Sequence, residues 1–138
     1  MASSNIMILM EKVEKIKLAV VDDAPFIREI VKQITLHAEN LQLVAEAQNG
    51  VEALQMLEKV KPDVILMDMV MPQMNGVEAS KQILEKYPDM KIIAFSTVDE
   101  DLMMLKALEA GCCNYLKKPF DAKSVIDVIN KSLLGETL

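Results

Sequence analysis

Five apolar runs, each followed by a stretch of helical period, constrain this chain more than any other feature. The runs are LAVV (18–21), LQLVAEA (41–47), VILM (64–67), IIAF (92–95) and CNYL (113–116). Their lengths suit short strands. After the first run, Phe26, Ile27, Ile30, Val31 and Ile34 recur at steps of three and four, as a one-sided helix requires. After the last, Val125, Ile126, Ile129 and Leu133 do the same. Five strand–helix units in series predict an α/β fold, a parallel sheet with helices on both faces.

The punctuation between the runs agrees. Asn49-Gly50 with Glu52, Asn75-Gly76 with Glu78, and Asp121 with Ser124 read as helix N-caps, the first two resembling capping boxes. Lys61-Pro62 and Tyr87-Pro88 stop helices, because proline cannot continue one. Gly111 falls where a helix C-terminus favours a left-handed residue. Residues 1–16 precede the first strand as a leader, a short amphipathic helix or a frayed end. The domain is expected over 17–134, with 135–138 as a tail.

Composition removes several classes of function. The chain has 138 residues, 51% of them hydrophobic, enough for one domain with a core needing no staples. With 11 Met and no Trp, that core must be largely aliphatic and sulfur-bearing. A net charge of −6 with no cluster of Lys and Arg argues against direct nucleic-acid binding. The only cysteines, Cys112 and Cys113, are adjacent; a bridge between them would be strained, and two thiols are too few for a structural zinc site. No run approaches the roughly 20 apolar residues that span a bilayer, and IMILM (6–10) is too short for a signal sequence. The chain is therefore expected to be cytoplasmic, with free thiols and no membrane partner.

Acids gather at the strand ends. Asp22 and Asp23 follow LAVV, and Asp68 follows VILM. Ser96 and Thr97 follow IIAF, and Lys118 lies just beyond CNYL. In doubly wound sheets the site lies beyond the carboxyl ends of the strands. If the first and third strands are neighbours, three carboxylates and one amine share a cleft with two net negative charges. Like charges about 4 Å apart repel by about 4 kcal/mol at an effective dielectric of 20. All-oxygen ligands without His or Cys suit Mg²⁺, which brings that charge to zero. An ionised Asp68 beside a metal and a lysine is then a competent nucleophile toward phosphorus.

The stretches VVDDAPFIREI, VILMDMVMPQMNGVEA, IIAFST and YLKKPF, in this order, resemble the receiver domains of two-component response regulators, the CheY-like family. The resemblance implies a flavodoxin-like sheet of order 2-1-3-4-5, an order the handedness rules alone do not fix. It implies that Asp68 accepts a phosphoryl group from a sensor histidine kinase. Mg²⁺ would be held by Asp23, Asp68 and the Val70 backbone carbonyl, with Asp22 helping directly or through water. Ser96, where Thr is more usual, would donate to one phosphoryl oxygen, and Lys118 would pair with another. Tyr115 would be the aromatic that follows Ser96, and Lys118-Pro119 a cis peptide. Output would pass to a downstream protein through the face of the fourth helix, fifth strand and fifth helix, and a phosphorylation-dependent dimer is a further expected partner state.

Departures from the family pattern carry their own expectation. The positions two past Asp68 and two past Ser96 are Val70 and Val98, which cannot orient an attacking water. Slow self-dephosphorylation follows, leaving room for a separate phosphatase. A true phosphohydrolase commonly carries a second acid two residues past the nucleophile; here Met69-Val70 follow Asp68, so an enzyme is disfavoured. A phosphorylation-independent scaffold is disfavoured because the acids, hydroxyl and lysine are all retained. A stand-alone, chemotaxis-like receiver is preferred over one cut from a larger transcription or effector regulator. His37 is expected at the surface, and Met103 and Met104 as core and rim, with a Met-rich docking stripe as the alternative.

Overall fold

The computed structural model of the chain describes residues 14–97 and 101–136. Most of the leader, Val98 and the last two residues of the tail lie outside these, so the expectations placed on them stay untouched. Five strands, β1 Ile16–Val21, β2 Leu41–Ala47, β3 Val64–Asp68, β4 Lys91–Thr97 and β5 Asn114–Lys118, alternate with five helices. The helices are α1 Pro25–Leu36, α2 Gly50–Lys59, α3 Gly76–Lys86, α4 Asp101–Glu109 and α5 Ala122–Leu133. All strand pairings are parallel, and the order is β2-β1-β3-β4-β5. The doubly wound flavodoxin-like sheet is therefore present.

Strand alternation divides the core in two. Ala19, Val21, Ile65, Met67, Ile92 and Ala94 face α2, α3 and α4, packing on Ala53, Leu57, Ile83 and Ala107. Leu18, Val20, Val64, Leu66, Ile93 and Phe95 face the other way, onto Val31 of α1 and Val125, Val128 and Ile129 of α5. Each large aliphatic side chain buried here contributes about 1.5–3 kcal/mol. The ladder between β1 and β2 slips once: Leu18 opposes Leu43 but Ala19 opposes Ala45, leaving Val44 as an unopposed extra residue.

The N-caps form as the sequence predicts. Asn49, Asn75 and Asp121 each accept from the backbone N–H three residues on, at 2.8, 2.9 and 2.8 Å. Gly111 ends α4 with φ +107°, and the Cys112 N–H closes the turn onto the Ala107 carbonyl at 3.0 Å. The strands outrun the apolar runs, because backbone pairing rather than apolarity decides their length. Ser96 and Thr97 lie inside β4, Lys118 ends β5, and β5 begins at Asn114 rather than Cys113.

The helical stripes need one revision. In α1 only Val31 of the five is fully covered; Ile27 and Ile34 pack partly, while Phe26 and Ile30 are exposed. In α5, Val128 joins the buried row and Leu133 drops out of it. Met104 is buried and Met103 half-buried, as core and rim; the exposed apolar row on α4 is instead Leu102, Leu105 and Leu108. His37 is exposed at the end of α1, its Nδ1 2.8 Å from the Gln33 carbonyl oxygen. Cys112 and Cys113 are free thiols, and burial pushes the Cys112 thiol up to about 11.

Gly76 couples the fold to the end of β3. A Cβ there would press on the Asp68 carbonyl oxygen and lie 2.8 Å from the Met69 Cα, both backbone atoms. Gly76→Ala should therefore destabilise the protein by about 1–3 kcal/mol, read as a lower urea midpoint. An unchanged midpoint would mean that the loop yields freely.

Candidate functional site

Three strand ends build the site. The Asp22 N–H continues the ladder of β1, donating to the Ala47 carbonyl at 3.1 Å, and its Oδ1 accepts from the Ala24 N–H at 2.9 Å. Asp68 is the last residue of β3, and its Oδ1 accepts from the Val70 N–H at 3.3 Å. Lys118 closes β5; its Nζ lies 2.8 Å from Asp22 Oδ2 and 3.4 Å from Asp68 Oδ1. The ammonium also sits 4.6 Å above the centre of the Phe95 ring, which Phe120 meets edge-on. The Lys118-Pro119 peptide is cis.

The structure brings the three acids together. One carboxylate oxygen each from Asp22, Asp23 and Asp68 fall within 4.8 Å of one another. Asp22 and Asp68 are buried and Asp23 is exposed, so the cluster opens to solvent on the Asp23 side. Crowding has an electrostatic cost. Burial, and then the charge of Asp22, raise the Asp68 carboxyl from an ordinary 3.8 to about 6; Lys118 and the Val70 N–H oppose them only in part. Lys118 alone does not balance the site, and a further cation is what the residual negative charge favours.

The remaining expected residues lie around this centre. Ser96 is next to Phe95, which pairs with Asp68 across β3 and β4. Its Oγ is buried and meets no hydrogen-bond partner among the described residues. A buried hydroxyl is normally satisfied, and this unmet donor lies one residue beyond the Phe95 that pairs with Asp68. Tyr115 is half-buried, opposite Ala94 in the ladder, on the α2–α4 side of the sheet. Ser96 is two residues beyond Ala94, so alternation puts both on that side. Val70 is half exposed in the loop after β3. The donors brought together fit Mg²⁺: three carboxylates, one of them exposed.

Arg28 was not singled out by its sequence. Its Nη1 donates to the Asp22 carbonyl oxygen at 2.6 Å, and its Nε lies 3.5 Å from Glu46 Oε1. The available signal was faint: it is the single base in the first two turns of α1.

A doubly wound parallel sheet with acids at the carboxyl ends of its central strands and a lysine at the end of β5 is the arrangement of signalling receivers. The chain belongs to the response regulator receiver domain family, whose model matches residues 18–130. It is 38% identical over 117 residues to the chemotaxis protein CheY of Listeria monocytogenes, covering 85% of this chain and 98% of that protein. It is 37% identical over 115 residues to the transcriptional regulatory protein DegU of Brevibacillus brevis, but spans only 49% of that protein's length. Among solved structures, a two-component response regulator of the LuxR family from Aurantimonas sp. superposes with a TM-score of 0.84 at 28% identity, over 91% of this chain and 90% of that one. No helix among the described residues is long and apolar enough to cross a membrane.

Proposed function

We propose that Asp68 is the phosphoacceptor of this receiver and that a sensor histidine kinase is the donor. The observation that carries this is the raised Asp68 carboxyl inside an acid cluster that Lys118 only partly offsets. An Asp68 oxygen attacks phosphorus in line; the P–O bond forms as the P–N bond to the donor imidazole breaks, its electron pair staying on nitrogen. Asp22, Asp23, Asp68 and the Val70 carbonyl are the residues that would hold Mg²⁺, which supplies charge neutralisation at the phosphoryl oxygens. Lys118 neutralises from the other side, and Ser96 offers its unmet hydroxyl. The protein is then a phosphoacceptor and not a turnover enzyme.

Phosphorylation brings nearly two negative charges to Asp68. Ser96 and Lys118 are drawn toward them, and Tyr115, sharing the Ser96 side of the sheet, follows. The output face is α4, β5 and α5, where the exposed Leu102, Leu105 and Leu108 offer apolar area to a protein partner. Near-complete coverage of a CheY favours a chemotaxis-like, stand-alone role in the cytoplasm; half coverage of DegU keeps the alternative of a larger regulator. Partners are proteins rather than nucleic acid, consistent with the net charge of −6.

Incubation with an acyl phosphate and MgCl₂ should add the mass of one phosphoryl group to wild type and none to Asp68→Asn. An unmodified wild type sinks the reading. Beryllofluoride with Mg²⁺, as a phosphoryl mimic, should then change which proteins the chain retains. Val70→Asn should release phosphate faster than wild type in a single-turnover time course, by up to about 100-fold if the amide positions the attacking water as well as a general base would. No acceleration would mean that Val70 does not limit hydrolysis.

A further inference from the structure

We propose that Arg28 is a positioning residue for the cation site: by gripping the Asp22 carbonyl it fixes the turn that presents Asp22 and Asp23. The inference rests on the reading that these acids bind Mg²⁺. Asp22 is held on the sheet side by its N–H on Ala47, and at its carboxylate by the Ala24 N–H and Lys118. The Ala24 contact closes a turn over Asp23, but none of those contacts touches the peptide that joins Asp22 to Asp23 itself. The Asp22 carbonyl and the Asp23 N–H share one plane, so whatever fixes the carbonyl sets the direction in which Asp23 leaves. Arg28 Nη1 does so at 2.6 Å.

The guanidinium is itself anchored. Glu46, near the end of β2, accepts or pairs at Arg28 Nε 3.5 Å away, and the arginine side chain is only 19% exposed. The fork therefore spans the end of β1 and the edge strand beside it, which a planar five-donor group does better than an ammonium. Electrostatics alone would not place it there. A positive charge beside a cation site opposes cation binding, so its benefit to the site has to be geometric. Outer contacts of this kind commonly change metal affinity by about 10–100-fold.

That opposition of sign makes the test decisive. Titration calorimetry with MgCl₂ on the full chain, wild type against Arg28→Met, should show binding weakened about tenfold in the variant. Tighter binding would mean that Arg28 acts only through its charge. Unchanged binding with a lower melting temperature would mean that it only supports the fold. Either result overturns the proposal. Should Arg28→Met fail to fold, Arg28→Lys keeps the charge and loses the fork; binding about threefold weaker is then expected, and wild-type affinity overturns the proposal. A wild type that takes up no Mg²⁺ is a separate outcome: the functional reading fails first, and this role falls with it.

Discussion

In EDTA at pH 8, Asp68→Asn should be more stable than wild type by about 3 kcal/mol. The folded protein holds the Asp68 carboxyl at about 6, against 3.8 for the free group, so ionisation costs more in the folded chain than in the unfolded one. Below about pH 3 both states carry the proton and the two proteins should match. As pH rises from about 4 to 6 the unfolded chain gives up a proton that the folded chain keeps, so wild type loses stability while the amide does not, and the gap is nearly complete by about pH 7. Urea unfolding at several pH values measures it. Saturating MgCl₂ should narrow the gap at pH 8, because a cation bound only by the folded state stabilises it by mass action. Equal stabilities at pH 8 without metal would show that Lys118 already balances the site.

Lys118→Met should act in the opposite direction. Its ammonium lies 2.8 Å from Asp22 Oδ2, and only 18% of its side chain is exposed. Removing it leaves Asp22 and Asp68 both buried with no cation between them, a change that typically costs about 3–5 kcal/mol. Methionine fills much of the volume and can still lie against Phe95, so lost packing is a minor part. Two consequences separate charge from shape. Adding Asp22→Asn to Lys118→Met should recover most of the loss, since the repulsion disappears. The single variant should also fail to gain phosphoryl mass from an acyl phosphate. A loss under about 1 kcal/mol would mean that solvent already screens the pair.

Much of this was legible in the residues because each level repeats the same instruction. The apolar runs set the strands, Asn49, Asn75 and Asp121 open helices where their side chains can reach a backbone N–H, and the acids follow the runs. The parallel sheet then puts Asp22, Asp68 and Lys118 at one end without further choice. Finer facts depend on three-dimensional packing. Nothing local says that Lys118 leans toward Asp22 more than Asp68; the Phe95 ring beneath it takes part in that choice. Arg28 acts across six residues of chain, a separation no helical or strand period marks. Phe26 and Ile30 lie outside the face of α1 that packs on the sheet.

The unopposed Val44 has a consequence for the outer margin of the molecule. Among the described residues, β2 has β1 on one side and no strand on the other. A flat margin would offer its free amides and carbonyls as a template on which another chain could extend the sheet. The extra residue kinks that margin and breaks the even spacing a newcomer would have to match. Growth of fibres from this side is therefore discouraged by backbone shape, leaving the surface residues of β2 free to vary without inviting aggregation.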